Sequence, residues 1–264
     1  MAIAAVVVLL IGAVVMLQRY ANRERPSWNV VRVQGTKEIA GRLSEGEWMD
    51  TNNAGRARID VGEIGIVEIE PNSRVRLVAA KPGEGRITLQ RGELSAVISA
   101  PPRLFFVETP SSLAVDLGCA YRMKTDDQGN GQLHVTSGWV SLESDGHDSL
   151  VPAGAMCLTR RGLGPGTPYF EDAPAPLRQA LDAFDVDRAQ TKTGVLDTIL
   201  NAARVRDTLT LWHLLSKTTG NDRLRVFDRM TALVPLPSAV TRDKVLTLDP
   251  EALKHWREEL AWKW

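Results

Sequence analysis

Between residues 28 and 160 the sequence alternates apolar and polar side chains with period two, and this rhythm constrains the fold more than any other feature. The runs "RARIDV", "GIVEIE", "RVRLVA", "RITLQ", "LSAVIS", "LFFVET", "LAVDL", "QLHVTS" and "WVSLES" follow one another along this stretch. Most are separated by Gly, Pro, Asn or Asp. Such spacing predicts short strands with one face buried, closed into a sandwich, barrel or solenoid. Residues 31–160 are therefore expected to form an all-β domain.

The period changes after a Gly/Pro-rich break, "RRGLGPGTPYFEDAPAP", which reads as a linker over 161–176. Beyond it, Leu177, Leu181 and Phe184 share a helical face, as do Leu196, Ile199 and Leu200. Leu209, Trp212 and Leu215 repeat the spacing, followed by Leu224, Phe227, Met230 and Leu233. Asp249 and Pro250 are start signals for a last helix whose stripe is Leu253, Trp256 and Leu260. Residues 177–264 are expected to form a small helical domain. The fold class is thus mainly β, with helices at the C-terminus.

At the other end, "AIAAVVVLLIGAVVML" (2–17) carries no charged side chain and no polar face. It predicts a membrane helix within residues 1–20, followed by a linker over 21–30. Arg19, Arg23 and Arg25 follow the run, and by the positive-inside rule they would keep the rest of the chain in the cytoplasm.

The chemistry legible in the sequence is sparse. The chain has 32 basic and 32 acidic residues, a balance unlike that of a nucleic-acid binder. "RGLGPGTP" has the glycine density of a phosphate loop, but Pro165 interrupts it and no Gly-Lys-Ser/Thr follows. "DDQGNG" (126–131) reads as a hairpin turn rather than a calcium loop, because Ser137 stands where the closing acid belongs. His134, His147, His213 and His255 are scattered without a second ligand at useful spacing. His134 should lie on a polar strand face, and His213 should be a packed or capping residue. No metal, cofactor or catalytic residue is assigned, and the chain reads as a non-enzyme.

Several small motifs recur in a familiar order. They are "AGRARIDV" (54–61), "VEIEPNSRVRL" (67–77), "ITLQRGELSAVI" (87–98), "FFVETPSSLAVDLGCAYRM" (105–123), "LHVTSGWVSLES" (133–144) and "LVPAGAMCL" (150–158). Together they resemble a FecR-type domain, the extracytoplasmic module of regulators that control sigma factors. Gly92, Gly138 and Gly154 stand where the family places tight turns. The resemblance implies a periplasmic β domain on a single-pass inner-membrane anchor, opposite to the arginine rule. It implies a sensor or signal-transducing scaffold with protein partners, such as a sigma/anti-sigma system or an outer-membrane transducer. The alternative is a structural or binding protein of the envelope without signalling. No anti-sigma segment precedes the apolar run, and the C-terminal helices depart from the mixed α/β ending of transducer-binding members. Sigma-factor inhibition and transducer binding therefore do not carry over directly.

Cys119 takes the place of threonine in the family's Gly-Thr pair, and Cys157 lies on the apolar side of the last strand. Outside the cytoplasm, two cysteines in neighbouring strands are expected to form a disulfide; two buried free thiols are the alternative. At the C-terminus Trp262 and Trp264 lie beyond the Leu253–Trp256–Leu260 stripe. They are expected to form an interaction surface, unless they fold back onto the helices.

Overall fold

The computed structural model describes residues 25–144, 146–186 and 193–264. The expected membrane helix, with the first four residues of the linker after it, lies outside these residues. Among the described residues no helix is long and apolar enough to cross a membrane.

The alternating runs form two sheets packed face to face. Sheet I runs β2 (Lys37–Ser44), β1 (Ser27–Gln34), β4 (Gly55–Asp60), β5 (Gly65–Ile69), β7 (Glu84–Ile98), β10 (Ala120–Thr125), β11 (Gly131–Ser137) and β14 (Ala155–Arg160). Sheet II runs β3 (Trp48–Asp50), β6 (Arg74–Lys81), β7, β8 (Phe105–Glu108), β9 (Leu113–Asp116), β12 (Trp139–Ser144) and β13 (His147–Pro152). Inward residues of both sheets share one core, with Ile59, Val67 and Leu133 from sheet I meeting Leu77, Ile87 and Leu142 from sheet II. Each of these removes its apolar side chain from water, worth about 1.5–3 kcal/mol apiece. The first strand begins at Ser27, a few residues inside the stretch read as linker.

β7 belongs to both sheets, because "RGE" is a crook within one strand and not a turn between two. Its first half pairs with β6 and β8 in sheet II, and its second half with β5 and β10 in sheet I. Gly92, at φ 93, makes the bend. A Cβ there would lie 2.2 Å from Ser73 Oγ and 2.4 Å from its Cα. Ser73 in turn accepts from the Glu93 amide at 2.9 Å and receives the Thr51 amide on its carbonyl at 2.9 Å, pinning the crossing. Having left through sheet I, the chain returns over residues 99–104 and re-enters sheet II parallel to its own first half.

The C-terminal helices are α1 (Ala175–Val186), α2 (Thr193–Ala202), α3 (Thr208–Lys217), α4 (Gly220–Leu233), α5 (Arg242–Leu246) and α6 (Pro250–Leu260). α6 starts as the sequence specifies, with Asp249 Oδ1 accepting from the Ala252 amide at 2.9 Å. Their stripes build a second core around Leu181, Ile199, Leu214, Met230 and Trp256. On α4 Val226 and Met230 are fully buried, while Leu224 is only partly covered.

The stretch read as a linker is a packed joint. Gly164–Pro165 (β15) and Tyr169–Phe170 (β16) both pair with β14, and Phe170 is wholly buried in the sandwich core. The helices thereby cover one end of the sandwich. At the opposite end β2 and β3 each have a single strand partner among the described residues.

Candidate interaction surface

The helical unit is joined to the sandwich by buried polar contacts as well as apolar ones. Thr167, in the joint, gives its amide to Asp185 Oδ2 at 2.6 Å and its hydroxyl to Asp185 Oδ1 at 2.9 Å. Lys217 Nζ closes the group, 3.0 Å from Thr167 Oγ1 and 3.4 Å from Asp185. A lysine and an aspartate so little exposed are tolerated because each has hydrogen-bonding partners. Leu209 of α3 enters the sandwich core. His213, on the same helix, reaches the outer carbonyl of β13, with Nε2 3.1 Å from Leu150 O. That contact places the Nε2 proton on the bond, and burial holds the imidazole neutral by lowering its pKa to about 3.

The two C-terminal tryptophans separate. Trp264 folds back between the two units, packing partly buried against both cores. Its ring lies 6.0 Å from Trp139 of β12 and 6.4 Å from Trp212 of α3, and its Nε1 donates to Thr208 Oγ1 at 3.1 Å. Trp264 is therefore part of the joint, which corrects its expected place on an interaction surface. Trp262 is 88% exposed and keeps that place as a proposal.

The cysteines also separate. Both are free and buried. β11 lies between their strands, with Cys157 opposite Leu133 and Leu133 opposite Met123, four residues along from Cys119. Two strand spacings and that offset put the Cα atoms on the order of 15 Å apart, beyond the ~7 Å limit of a disulfide. The expected bridge is corrected accordingly: the strands are not neighbours. Cys119 instead donates its S–H to Asp116 Oδ2 at 2.6 Å, while Asp116 Oδ1 accepts the Gly118 amide at 2.7 Å. Burial, then Asp116, pushes the Cys119 thiol far up, and burial pushes Cys157 to about 12. Neither is a ready thiolate.

Other expected positions hold their places. Asp126 ties off the β10–β11 hairpin, accepting from the Gln128 and Asn130 amides at 3.0 and 2.8 Å. His134 sits half-buried on the outer face of β11, 3.6 Å from Glu171. Among the described residues no group of three or more His, Cys, Asp or Glu is placed to hold a metal ion. An open groove of about 850 Å³ lies on sheet II between Thr109–Ser112 and Arg161–Gly164. Its hydroxyls bond to one another, Thr109 Oγ1 lying 3.4 Å from Ser111 Oγ and 3.3 Å from Ser112 Oγ.

The sequence reading passed over one exposed cluster. Trp48, 40% exposed on edge strand β3, has the Arg74 and Arg76 guanidinium groups 4.7 and 5.8 Å from its ring. The available signal was Met49, whose inward position turns Trp48 to solvent.

Comparison with known proteins bears on the sandwich. Residues 47–141 match the FecR protein family, from the entry to β3 through the middle of β12. The match leaves out the β1–β2 hairpin, and it ends before the "LVPAGAMCL" segment included in the sequence resemblance. No curated protein matches the chain. Two crystal structures of a candidate anti-sigma factor from Parabacteroides distasonis ATCC 8503 align over 51% and 52% of this chain, each at 14% identity and TM-score 0.42. In each case the alignment spans 63% of the other chain's length. With their motifs in order from β3 to β12, residues 47–141 of this β-sandwich are a FecR-type domain.

Proposed function

We propose that this protein is a sigma-factor regulator that works through surface contacts of its FecR-type sandwich, without chemistry of its own. The observation that carries the reading is the family match over 47–141. The strands it covers form a closed core with two broad solvent-facing sheets, a shape suited to presenting surfaces. The partner is another protein of the signalling relay, either a sigma/anti-sigma pair or an outer-membrane transducer. Residues 2–17 anchor the chain in the inner membrane, and the sandwich stands on the periplasmic side.

The buried thiols give this placement no support in either direction, since unreactive cysteines suit both compartments. It rests on the family, against the arginines that follow the apolar run. A reporter active only in the periplasm, fused after Trp264, is expected to be active; silence from a well-expressed fusion overturns the placement. The regulatory role is tested by deleting residues 47–141 in the host and following promoters of each extracytoplasmic-function sigma factor. A several-fold change at one of them is expected. No change at any, under envelope stress or iron limitation, overturns the role.

A further inference from the structure

We infer that the end of the sandwich at which the chain enters rests on the surface of the bilayer that anchors it, with Val97, Pro101, Pro102 and Trp262 as the contact. This deepens the proposed function and rests on its membrane anchor, but not on which side of the membrane the sandwich stands.

Strand register defines the entry end. β1 starts at Ser27, and partners in register form a row across sheet I just inside that point: Asn29, Asp60, Ile66, Val97 and Ala120. Backbone bonds tie together the connections beyond the row. The Ser99 amide donates to Ile64 O at 2.8 Å and the Ile98 amide to Cys119 O at 2.9 Å. The Arg103 amide donates to Asp116 O at 2.8 Å and the Leu117 amide to Trp139 O at 3.2 Å. Trp264 packs on Trp139, so the C-terminal turn Ala261–Lys263 lies at this end as well.

This end carries apolar side chains that the fold leaves in water. Trp262 at 88% and Val97 at 58% are the two most exposed large hydrophobic side chains among the described residues. Pro101 and Pro102 are exposed on the connection between Val97 and Arg103. The chain that lies outside the structure selects a bilayer as the occupant. Residues 18–26 separate the apolar run 2–17 from Ser27, a span of at most ~30 Å when fully extended. The entry end is thus the part of the sandwich held nearest the membrane, and the most exposed apolar side chains are gathered there. A tryptophan suits that boundary, with its ring against hydrocarbon and its N–H in the wet headgroup layer. Charge does not select the surface, because exposed Arg25 and Lys263 are offset by exposed Asp60 and Glu63. The contact is one of apolar burial, and zwitterionic lipid suffices to test it.

The full chain, reconstituted in phosphatidylcholine vesicles doped with a lipid that carries a quencher at headgroup level, tests this. A fluorophore is attached to Val97→Cys, Trp262→Cys or Asp127→Cys, one at a time, and the native thiols are buried and stay unlabelled. Asp127 is the reference, because the β10–β11 hairpin lies at the opposite end of sheet I from the Val97–Ala120 pair. Labels at Val97 and Trp262 are expected to be quenched about threefold more than the label at Asp127, as for side chains seated at the headgroup boundary. Either orientation of the chain gives the same contrast, because the sandwich meets the bilayer through the same end. An alkaline wash of the vesicles tests the anchor separately. A chain that stays with the vesicles while Val97 or Trp262 is quenched no more than Asp127 overturns the inference and leaves the anchor standing. A chain that washes off overturns the anchor and the inference together.

Discussion

At the scale of single residues, Trp264 shows how a chain end can belong to a core. A terminal tryptophan read in sequence looks solvent-exposed, because the partners that bury it, Trp139 and Trp212, are remote along the chain. Trp264→Ala is expected to lower the unfolding free energy by about 2 kcal/mol, less than the ~3–5 of a fully enclosed ring because Trp264 is only partly buried. Trp262→Ala should change it by less than ~0.5 kcal/mol, as usual for an exposed position. Urea denaturation of the two variants measures the contrast, and equal effects would contradict the placement. The cysteines make a similar pair. Both should resist alkylation in the native protein and react in denaturant, with no linked peptide under non-reducing conditions, even in material recovered from the periplasm. Burial of Cys119 and Cys157 was foreseeable from alternation, but their separation was not. It depends on β11 lying between two strands, and sheet order is a long-range property.

At the scale of elements, alternation located the strands because each buries one face, as along β4, where buried Gly55, Ala57 and Ile59 alternate with exposed Arg56, Arg58 and Asp60. The same signal cannot tell where a strand changes partners. "RGE" looked like a turn because its glycine requires positive φ, yet a crook and a turn share that requirement. What decides between them is Ser73, which lies against Gly92 from a separate strand connection. Gly92→Ala should therefore cost more than ~2 kcal/mol, combining a forbidden backbone region with a clash against Ser73. Gly35→Ala, at φ 60 with open space around its Cβ position, should cost only about 1 kcal/mol. A melting series on both variants checks the order. Equal losses would show that Ser73 moves aside and that the crook is soft. The helices were more legible than this, down to the Asp249 cap, because their stripes and caps are local features.

At the scale of the whole molecule, the Gly/Pro-rich joint unites two parts that its composition appeared to divide. Composition marks where regular structure stops, and here the chain instead threads Gly164–Phe170 along β14 under cover of the helices. Limited proteolysis should leave residues 164–170 intact until the whole protein unfolds, and early cutting there would restore the reading of a free linker. The joint should also make stability depend on pH through His213. The unfolded imidazole titrates near ~6.5, whereas burial keeps the folded one neutral down to about 3. Above ~6.5 both states are neutral and the residue contributes no pH dependence. As pH falls below ~6.5 only the unfolded state takes the proton, so stability declines at up to ~1.4 kcal/mol per pH unit. By pH 5 the loss amounts to about 2 kcal/mol. His213→Gln keeps an N–H donor for Leu150 O but cannot titrate. Its unfolding free energy should lose about 2 kcal/mol less than wild type between pH 7 and pH 5, the carboxylates cancelling in the comparison. Parallel pH profiles would mean that His213 is reached by water in the folded state and that the helices do not seal the β13 edge.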